Sequence, residues 1–173
     1  MLISVEQLEL HPVSISETYP TGALDYHTSE FRQLGDLKVR GVAELEGAEI
    51  RFRGHLDARV ATTCNRCLGP IEVPVALDFD LTYRPMATIA RNEELELPPG
   101  ELGVGFYQDP GIEVADMVTE QVNLFMPMQV VCSPDCRGLC PTCGVNRNLE
   151  VCHCPAAPHE SPFAALLDRK PQG

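Results

Sequence analysis

The 173-residue chain lacks features that mark several large classes of protein. It has no run of about eighteen apolar residues, which excludes a membrane-spanning helix. Its first segment, MLISVEQLELHPVS, has neither a basic start nor an apolar run of signal-peptide length, so we expect a cytoplasmic chain, in which disulfides rarely persist. It also has no nucleophile with a matching base and no phosphate-binding glycine loop. We therefore expect no enzymatic activity, no membrane contact and no small-molecule substrate.

Positive charge is scarce as well. The chain has 13 lysines and arginines against 25 aspartates and glutamates, which gives a formal net charge of −12. Residues 61–131 carry eleven acids against three bases, whereas residues 132–173 carry four of each. A chain this acidic is a poor sequence-independent binder of RNA. A basic protein surface complements it better, and so does a particle whose RNA is already covered by basic proteins.

Cysteine is what the sequence has in plenty, and it comes in close pairs. A tetrahedral Zn²⁺ takes four thiolates, and two ligands two or three residues apart can bind one ion from a single tight turn. The pattern therefore predicts two closed structural zinc ions with no open position for a catalytic water. The predicted ligands are Cys64 and Cys67, Cys132 and Cys136, Cys140 and Cys143, and Cys152 and Cys154.

Other uses of these cysteines remain open at this point. Cys64 and Cys67 alone form a single Cys-x-x-Cys, which could also be redox-active or simply two buried reduced thiols. The remaining six cysteines are packed into residues 132–154 together with turn-forming glycine and proline, which favours metal. His153 stands between two better ligands and is interpreted as a bystander. The arginines beside the cysteines are weak candidates for contact with a partner: Arg66, Arg137 and Arg147.

The first half of the chain is predicted to be β-sheet. Alternating apolar residues run from Leu37 to Leu45, resume from Ile50 to Val60 after a turn at Glu46-Gly47, and run again from Ile71 to Tyr83. These three strands form an antiparallel meander with one buried face. The CNRCLGP segment falls on the turn between the second and third strands, where a zinc knuckle belongs.

Helical spacing begins at Val114 and continues to Phe125, with Pro127 closing the helix. The fold class predicted is therefore α+β: an antiparallel sheet packed by one long helix, followed by a cysteine-rich zinc-binding segment. Between Pro85 and about Gly111 periodicity fails and acids accumulate, which predicts a loop that is either a solvated face or a strap that docks a basic partner. We expect an acidic body at 1–131, a zinc-binding cluster at 132–160, and a short C-terminal helix and tail at 161–173.

Several of these segments together resemble the YceD family, the large-subunit ribosomal RNA accumulation proteins. The resemblance is carried by CNRCLGP after a strand, by LFMPM before VVCSPDCRGLCPTCGVN, by the closing CHC and by the terminal SPFAALLDRK. It covers the chain from about Leu37 onward. It implies a bacterial or organellar factor needed for large-subunit rRNA to accumulate during ribosome assembly, and it implies no catalytic residue.

The resemblance also bears on how the cysteines share ions, because some family members keep the first two pairs and lack the later ones. This implies one site formed by the pairs at 64/67 and 132/136, and a second, local site formed by the pairs at 140/143 and 152/154. The rival arrangement is a two-knuckle zinc ribbon that joins 64/67 with 140/143. Both arrangements stay open on the sequence alone.

Two functions follow as expectations. The first is a ribosome biogenesis factor that binds a basic ribosomal protein or a pre-large-subunit particle, with direct contact to rRNA left open. The second is a general protein-interaction module held together by structural zinc. Co-sedimentation with immature large subunits separates them.

Overall fold

The computed structural model describes residues 1–88 and 103–155. The predicted short helix at 161–173 lies outside the described residues, as do most of the acids of the predicted loop. Eight strands and two α-helices are present in the described part, in this order: β1 Leu2–Ser4, α1 Val5–Leu10, β2 Val13–Tyr19, β3 Phe31–Gln33, β4 Leu37–Glu46, β5 Glu49–Thr63, β6 Pro70–Pro85, β7 Val104–Tyr107, β8 Gly111–Glu113 and α2 Val114–Phe125.

The predicted meander is present as the long strands β4, β5 and β6. All three pair antiparallel, and the turn after β4 is closed by Gly47, whose φ of 68° suits a residue without a side chain. The alternation of the sequence matches the pleat, so that one face of each strand is buried. Phe52, Leu56 and Val60 of β5, for example, are 0% exposed. This buried face forms the core together with one side of α2.

The prediction of one long helix is wrong. The helix α2 has 12 residues, and the second helix, α1, has only 6. The backbone of α2 can extend no further, because β8 ends at Glu113 and Met126, just before Pro127, is already extended at φ −68° and ψ 122°. The position of the helix between Val114 and Phe125 is confirmed. Its length is ordinary for a globular protein.

The main sheet is mixed and larger than the predicted meander. Its strands lie in the order β2-β4-β5-β6-β7, and β3 pairs with the far half of β5. The outermost strand β7 runs parallel to β6, whereas every other pair is antiparallel. Part of the segment predicted as loop is therefore a strand. A small second sheet joins β1 to β8, next to α1, which begins with a reciprocal capping box between Ser4 and Gln7.

The turn between β5 and β6 lies at the end of the hairpin opposite to the Gly47 turn. It holds Cys64 and Cys67, and the chain that leaves α2 returns to the same end, where the other six cysteines lie. No helix in the described residues is long and apolar enough to span a membrane. The predicted boundaries at 131 and 160 stay predictions.

Candidate metal centre

Four cysteines gather where the β5–β6 turn meets the chain that follows α2. The sulfur atoms of Cys64, Cys67, Cys132 and Cys136 all lie within 4.8 Å of one another, and we call this group the anchored cluster. The Cys64 and Cys136 sulfurs are 3.8 Å apart, and the Cys67 and Cys132 sulfurs are 3.7 Å apart. Tetrahedral zinc with bonds of about 2.3 Å places sulfur atoms about 3.8 Å apart. The donor set therefore fits one tetrahedral ion.

The other four cysteines form a second group, here called the distal cluster. It consists of Cys140, Cys143, Cys152 and Cys154, whose sulfur atoms again lie within 4.8 Å of one another. The Cys152 sulfur is 3.5 Å from that of Cys143 and 3.3 Å from that of Cys140. The structure thus groups the eight thiols as 64/67 with 132/136 and 140/143 with 152/154. It does not bring 64/67 together with 140/143, as a two-knuckle ribbon would require.

The two clusters differ in burial. In the anchored cluster Cys64 is 0% exposed, Cys136 is 6% exposed, and both pack with the partly buried Ile71 and Val131. In the distal cluster only Cys140 is buried, and the Cys143 side chain is exposed. Cys132 of the anchored cluster is exposed, but its other three cysteines are buried, so an ion there would be less accessible to water than one in the distal cluster.

Backbone amides that point at the sulfur atoms favour the thiolate form. Burial by itself raises the pKa of Cys64, but hydrogen bonds from the amides of Cys132, Cys67 and Arg66 outweigh it and lower the pKa to about 6. The amides of Arg66 and Cys132 each lie 3.4 Å from the Cys64 sulfur. This arrangement of amides around a thiolate is typical of structural zinc knuckles.

Neighbouring thiols raise the pKa of other cysteines in each cluster. Hydrogen bonds with Cys136 and Cys67 raise the pKa of Cys132 to about 12. In the distal cluster the hydrogen bond with Cys152 is the main cause that raises the pKa of Cys154, also to about 12. Four thiols this close ionise together only when a cation neutralises them. Both donor sets therefore fit a divalent cation bound by four thiolates.

Two polar residues of the β5–β6 turn, Asn65 and Arg66, hold the anchored cluster together. Asn65 and Val130 form a reciprocal pair, in which the Asn65 amide donates to the Val130 carbonyl at 2.9 Å and the Val130 amide donates to the Asn65 side chain at 2.7 Å. The guanidinium of Arg66 donates to the carbonyls of Pro134 and Cys136 at 3.1 and 3.2 Å. These contacts fix the β5–β6 turn against the chain that supplies Cys132.

A third residue joins the two clusters. Asn148 lies in the loop between Cys143 and Cys152 of the distal cluster, yet its side-chain amide donates to the Cys136 sulfur of the anchored cluster at 3.3 Å. Its side-chain oxygen accepts from the backbone amide of Arg137 at 2.8 Å. The loop of the distal cluster therefore contributes a hydrogen bond to a ligand of the other. Spacing rules for cysteine give no signal for such a residue.

The polypeptide between the clusters is also tightly packed. Gly138 has a φ of 69°, and a Cβ there would lie 2.9 Å from the Arg66 carbonyl oxygen, so the close approach requires glycine. The next amide, that of Leu139, donates to the same carbonyl at 3.0 Å. The segment that joins the two clusters is therefore held against the β5–β6 turn.

The weak candidates for partner contact differ in their surroundings. The side chain of Arg66 is committed to carbonyls of the anchored cluster. Arg137 and Arg147 are exposed, and neither forms an ion pair within residues 1–88 and 103–155. Their role in partner contact stays a prediction. His153 is exposed and is not part of either group of sulfur atoms.

Comparison with known proteins adds relatives but no solved structure, since none matches the chain. An uncharacterized protein of Mycobacterium tuberculosis strain H37Rv is 37% identical over 112 residues, which are 64% of this chain and 49% of the relative. The uncharacterized protein YlbN of Bacillus subtilis is 21% identical over 134 residues, 78% of this chain and 73% of YlbN. The chain spans about half the length of the mycobacterial relatives it matches.

A named relative covers a shorter stretch. The large ribosomal RNA subunit accumulation protein YCED homolog 1, chloroplastic, of Zea mays is 38% identical over 40 residues, 23% of this chain and 14% of the maize protein. The family model described as large ribosomal RNA subunit accumulation protein YceD matches residues 52–168, which include all eight cysteines, most of β5 and all of β6. The chain belongs to the YceD family.

Proposed function

We propose that the protein is a non-enzymatic ribosome biogenesis factor that supports the accumulation of large-subunit ribosomal RNA in the bacterial cytoplasm. The observation that carries the proposal is the match of the YceD family model to residues 52–168. The description of that family and the name of the maize relative both concern large ribosomal RNA subunit accumulation. Because the match spans about half the length of the mycobacterial relatives, activities of their other regions are no part of this proposal.

The proposal assigns zinc a structural role in both clusters. Four thiolates at tetrahedral spacing leave no open position for a water molecule or a substrate, which catalytic zinc requires. In the anchored cluster the ion would join the β5–β6 turn to the chain after α2. In the distal cluster it would close a loop of fifteen residues, from Cys140 to Cys154.

The proposed partner is a basic ribosomal protein or a pre-large-subunit particle. The net charge of −12 favours a basic partner and opposes wrapping by naked RNA. Contact with rRNA itself is left open. The competing function, a protein-interaction module with structural zinc and no role in ribosomes, shares the same fold and metal sites.

Depletion of the protein in its source cells tests the proposal. We expect the ratio of large-subunit to small-subunit rRNA to fall and immature large subunits to accumulate on sucrose gradients. Tagged protein should co-sediment with those particles at moderate salt, and re-expression of the untagged chain should restore the rRNA ratio. Unchanged rRNA after depletion, with the tagged protein only in free fractions, would favour the interaction module instead.

A further inference from the structure

Basic residues lie almost entirely on one side of the main sheet, where several of them pair with acids of the same face, as Arg51 does with Asp80. Seven of the ten lysines and arginines in residues 1–88 and 103–155 project from the open face, which no helix covers. On the covered side, the residues of α1, β8 and α2 include five acids and not one lysine or arginine. The open-face bases are Arg32, Lys38, Arg40, Arg51, Arg53, Arg59 and Arg84.

A groove runs along the covered side of the main sheet, between α2 and the edge strand β7. Asp116, Glu120 and Leu124 are exposed and follow one another at four-residue spacing, so they form a stripe along the helix. Two neighbouring cavities of about 300 and 240 Å³ make up the groove and share Tyr83 and Glu120 as lining residues. Neither acid of the stripe forms an ion pair within the described residues.

A glutamine side chain on the core side of α2 lines this groove. Gln121 is only 9% exposed and lines the larger cavity. Within residues 1–88 and 103–155 its side-chain amide forms no hydrogen bond with the protein, and the fully buried side-chain atom that lacks a partner there is the Tyr19 hydroxyl, not this amide. The Gln121 amide therefore reaches the water of the groove and is free to hydrogen-bond to a ligand that enters it.

Within residues 1–88 and 103–155, the strand beside the groove is paired along one edge only. In the described sheet β7 pairs with β6 on one side and with no strand on the other. It lies close to the Tyr83 ring because residue 105 is glycine, since a Cβ there would be 2.5 Å from ring atoms. An unpaired edge of this kind is a template for an added strand from another protein.

The spacing of the acids suits an added strand. Two residues four apart on a helix are separated by a rise of about 6 Å. Alternate side chains on one face of a strand are separated by about 6.7 Å. Bases at alternate positions of an extended segment can therefore meet Asp116 and Glu120 in turn. Their aliphatic stems can cover Leu124, which is 71% exposed.

We propose that this groove binds an extended basic segment of a protein partner, which adds to the free edge of β7 and sets alternate lysines or arginines against Asp116 and Glu120. The amide of Gln121 hydrogen-bonds to the incoming segment. The inference rests on the proposed function only for the identity of the partner, a basic ribosomal protein. The chemistry of the groove, acids beside a free strand edge, is independent of it.

A labelled peptide tests the groove on the zinc-loaded full chain. The probe is a fluorescein-tagged ten-residue peptide in which lysine alternates with valine and threonine, titrated by anisotropy at low salt. The double variant Asp116→Asn with Glu120→Gln is expected to raise Kd about tenfold, because two facing charges are lost. The matched control is Glu9→Gln with Glu72→Gln, which removes two exposed, unpaired acids outside the groove and should change Kd less than twofold.

Two further measurements separate the groove from general attraction between opposite charges. Gln121→Leu should raise the Kd of the probe several-fold. The melting temperature of the protein should stay unchanged or rise, since the native amide has no hydrogen-bond partner within the described residues to lose. A peptide of equal charge with prolines in place of the valines cannot donate to a strand edge and should bind at least tenfold more weakly. Equal Kd values for the two double variants, or for the two peptides, would overturn the proposal.

Other occupants would also be detected. Self-association that Asp116→Asn with Glu120→Gln abolishes would assign the groove to a second copy of the chain and overturn the proposal. Failure of the groove is distinct from failure of the proposed function. A groove variant that loses the peptide but still co-sediments with immature large subunits contradicts only the groove. Intact peptide binding with normal rRNA after depletion contradicts only the ribosomal role.

Discussion

The anchored and distal clusters each consist of four cysteines but have different surroundings. The anchored cluster draws two cysteines from a turn of the main sheet and two from the chain after α2, and three of the four are buried while Cys132 is exposed. The distal cluster takes all four from one stretch of fifteen residues and exposes Cys143. Two sets of four cysteines can therefore contribute unequally to the stability of one fold. Loss of the ion from the anchored cluster should destabilise the body of the protein. Loss of the ion from the distal cluster should affect only the loop that carries its cysteines.

The largest effect is expected for Cys64→Ser. It removes a ligand that is 0% exposed and separates the β5–β6 turn from the chain after α2. Structural zinc contributes on the order of 10 kcal/mol in small zinc-binding domains, so we expect a fall in melting temperature of at least 10 °C or failure to fold. Calorimetry measures the melting temperature, and elemental analysis measures the zinc content. Cys143→Ser, an exposed ligand of the distal cluster, is the matched control and should leave the main transition nearly in place.

The double variant Cys152→Ser with Cys154→Ser tests the grouping of the thiols. We expect zinc content to fall from two ions to one while the body stays folded. Mass spectrometry after alkylation should then find Cys140 and Cys143 modified and Cys64 protected. Modification of Cys132 and Cys136 in this variant would instead support the two-knuckle ribbon, in which those residues share an ion with 152 and 154.

A smaller effect is expected at the residue that links the clusters. Asn148→Ala removes the hydrogen bond to the Cys136 sulfur and leaves every ligand in place. Because partners that hydrogen-bond to ligands typically tune metal affinity by tenfold or more, zinc in the anchored cluster should be released about ten times faster. Glu150→Gln, an exposed change in the same loop, is the control. Equal release rates in the two variants would mean that the clusters are independent.

The smallest effect concerns the open face of the sheet, far from both clusters. His55 lies 2.6 Å from Asp78 and 3.3 Å from Asp57, and hydrogen bonds with these carboxylates, Asp78 first, raise the pKa of the imidazole. A raised folded-state pKa stabilises the protein below the unfolded value of about 6.5, and this contribution is lost as pH rises through the folded pKa.

His55→Gln should therefore lower the melting temperature slightly at pH 6 and have no effect at pH 8.5. Zinc content should stay at two ions at both pH values, which makes the open face a reference for the metal-binding end. A fall in melting temperature of the same size at both pH values would show that the imidazole contributes by packing rather than by charge.

The sequence was informative where a short-range period decides the structure. Alternation predicted the long strands and their buried face, and helical spacing before Pro127 predicted the position of α2. The short strands β1, β3, β7 and β8 have only three or four residues each, too few to display a period. The parallel pairing of β7 with β6 also depends on contacts between segments distant in sequence. Leu124, within the same helix, is 71% exposed because it lies on the face of α2 that also carries the exposed Asp116 and Glu120.

The same limit applies to the sites. Cysteine spacing identified all eight candidate ligands, because chelation by a tight turn is a local property. The grouping came from family resemblance, and the structure places the sulfur atoms accordingly. Asn65 and Asn148 could not be predicted, since each acts on a partner more than ten residues away. Gln121 could be placed on the core side of α2, but its position in the groove beside β7 could not be predicted.

Release of zinc to a coloured chelator tests the central claim, that one site is built into the fold and the other is appended to it. For the native chain we predict two phases of equal amplitude, one ion released quickly and one slowly. Cys152→Ser with Cys154→Ser should remove the fast phase and leave the slow one. A single phase for both ions, or loss of the slow phase in that variant, would contradict the account.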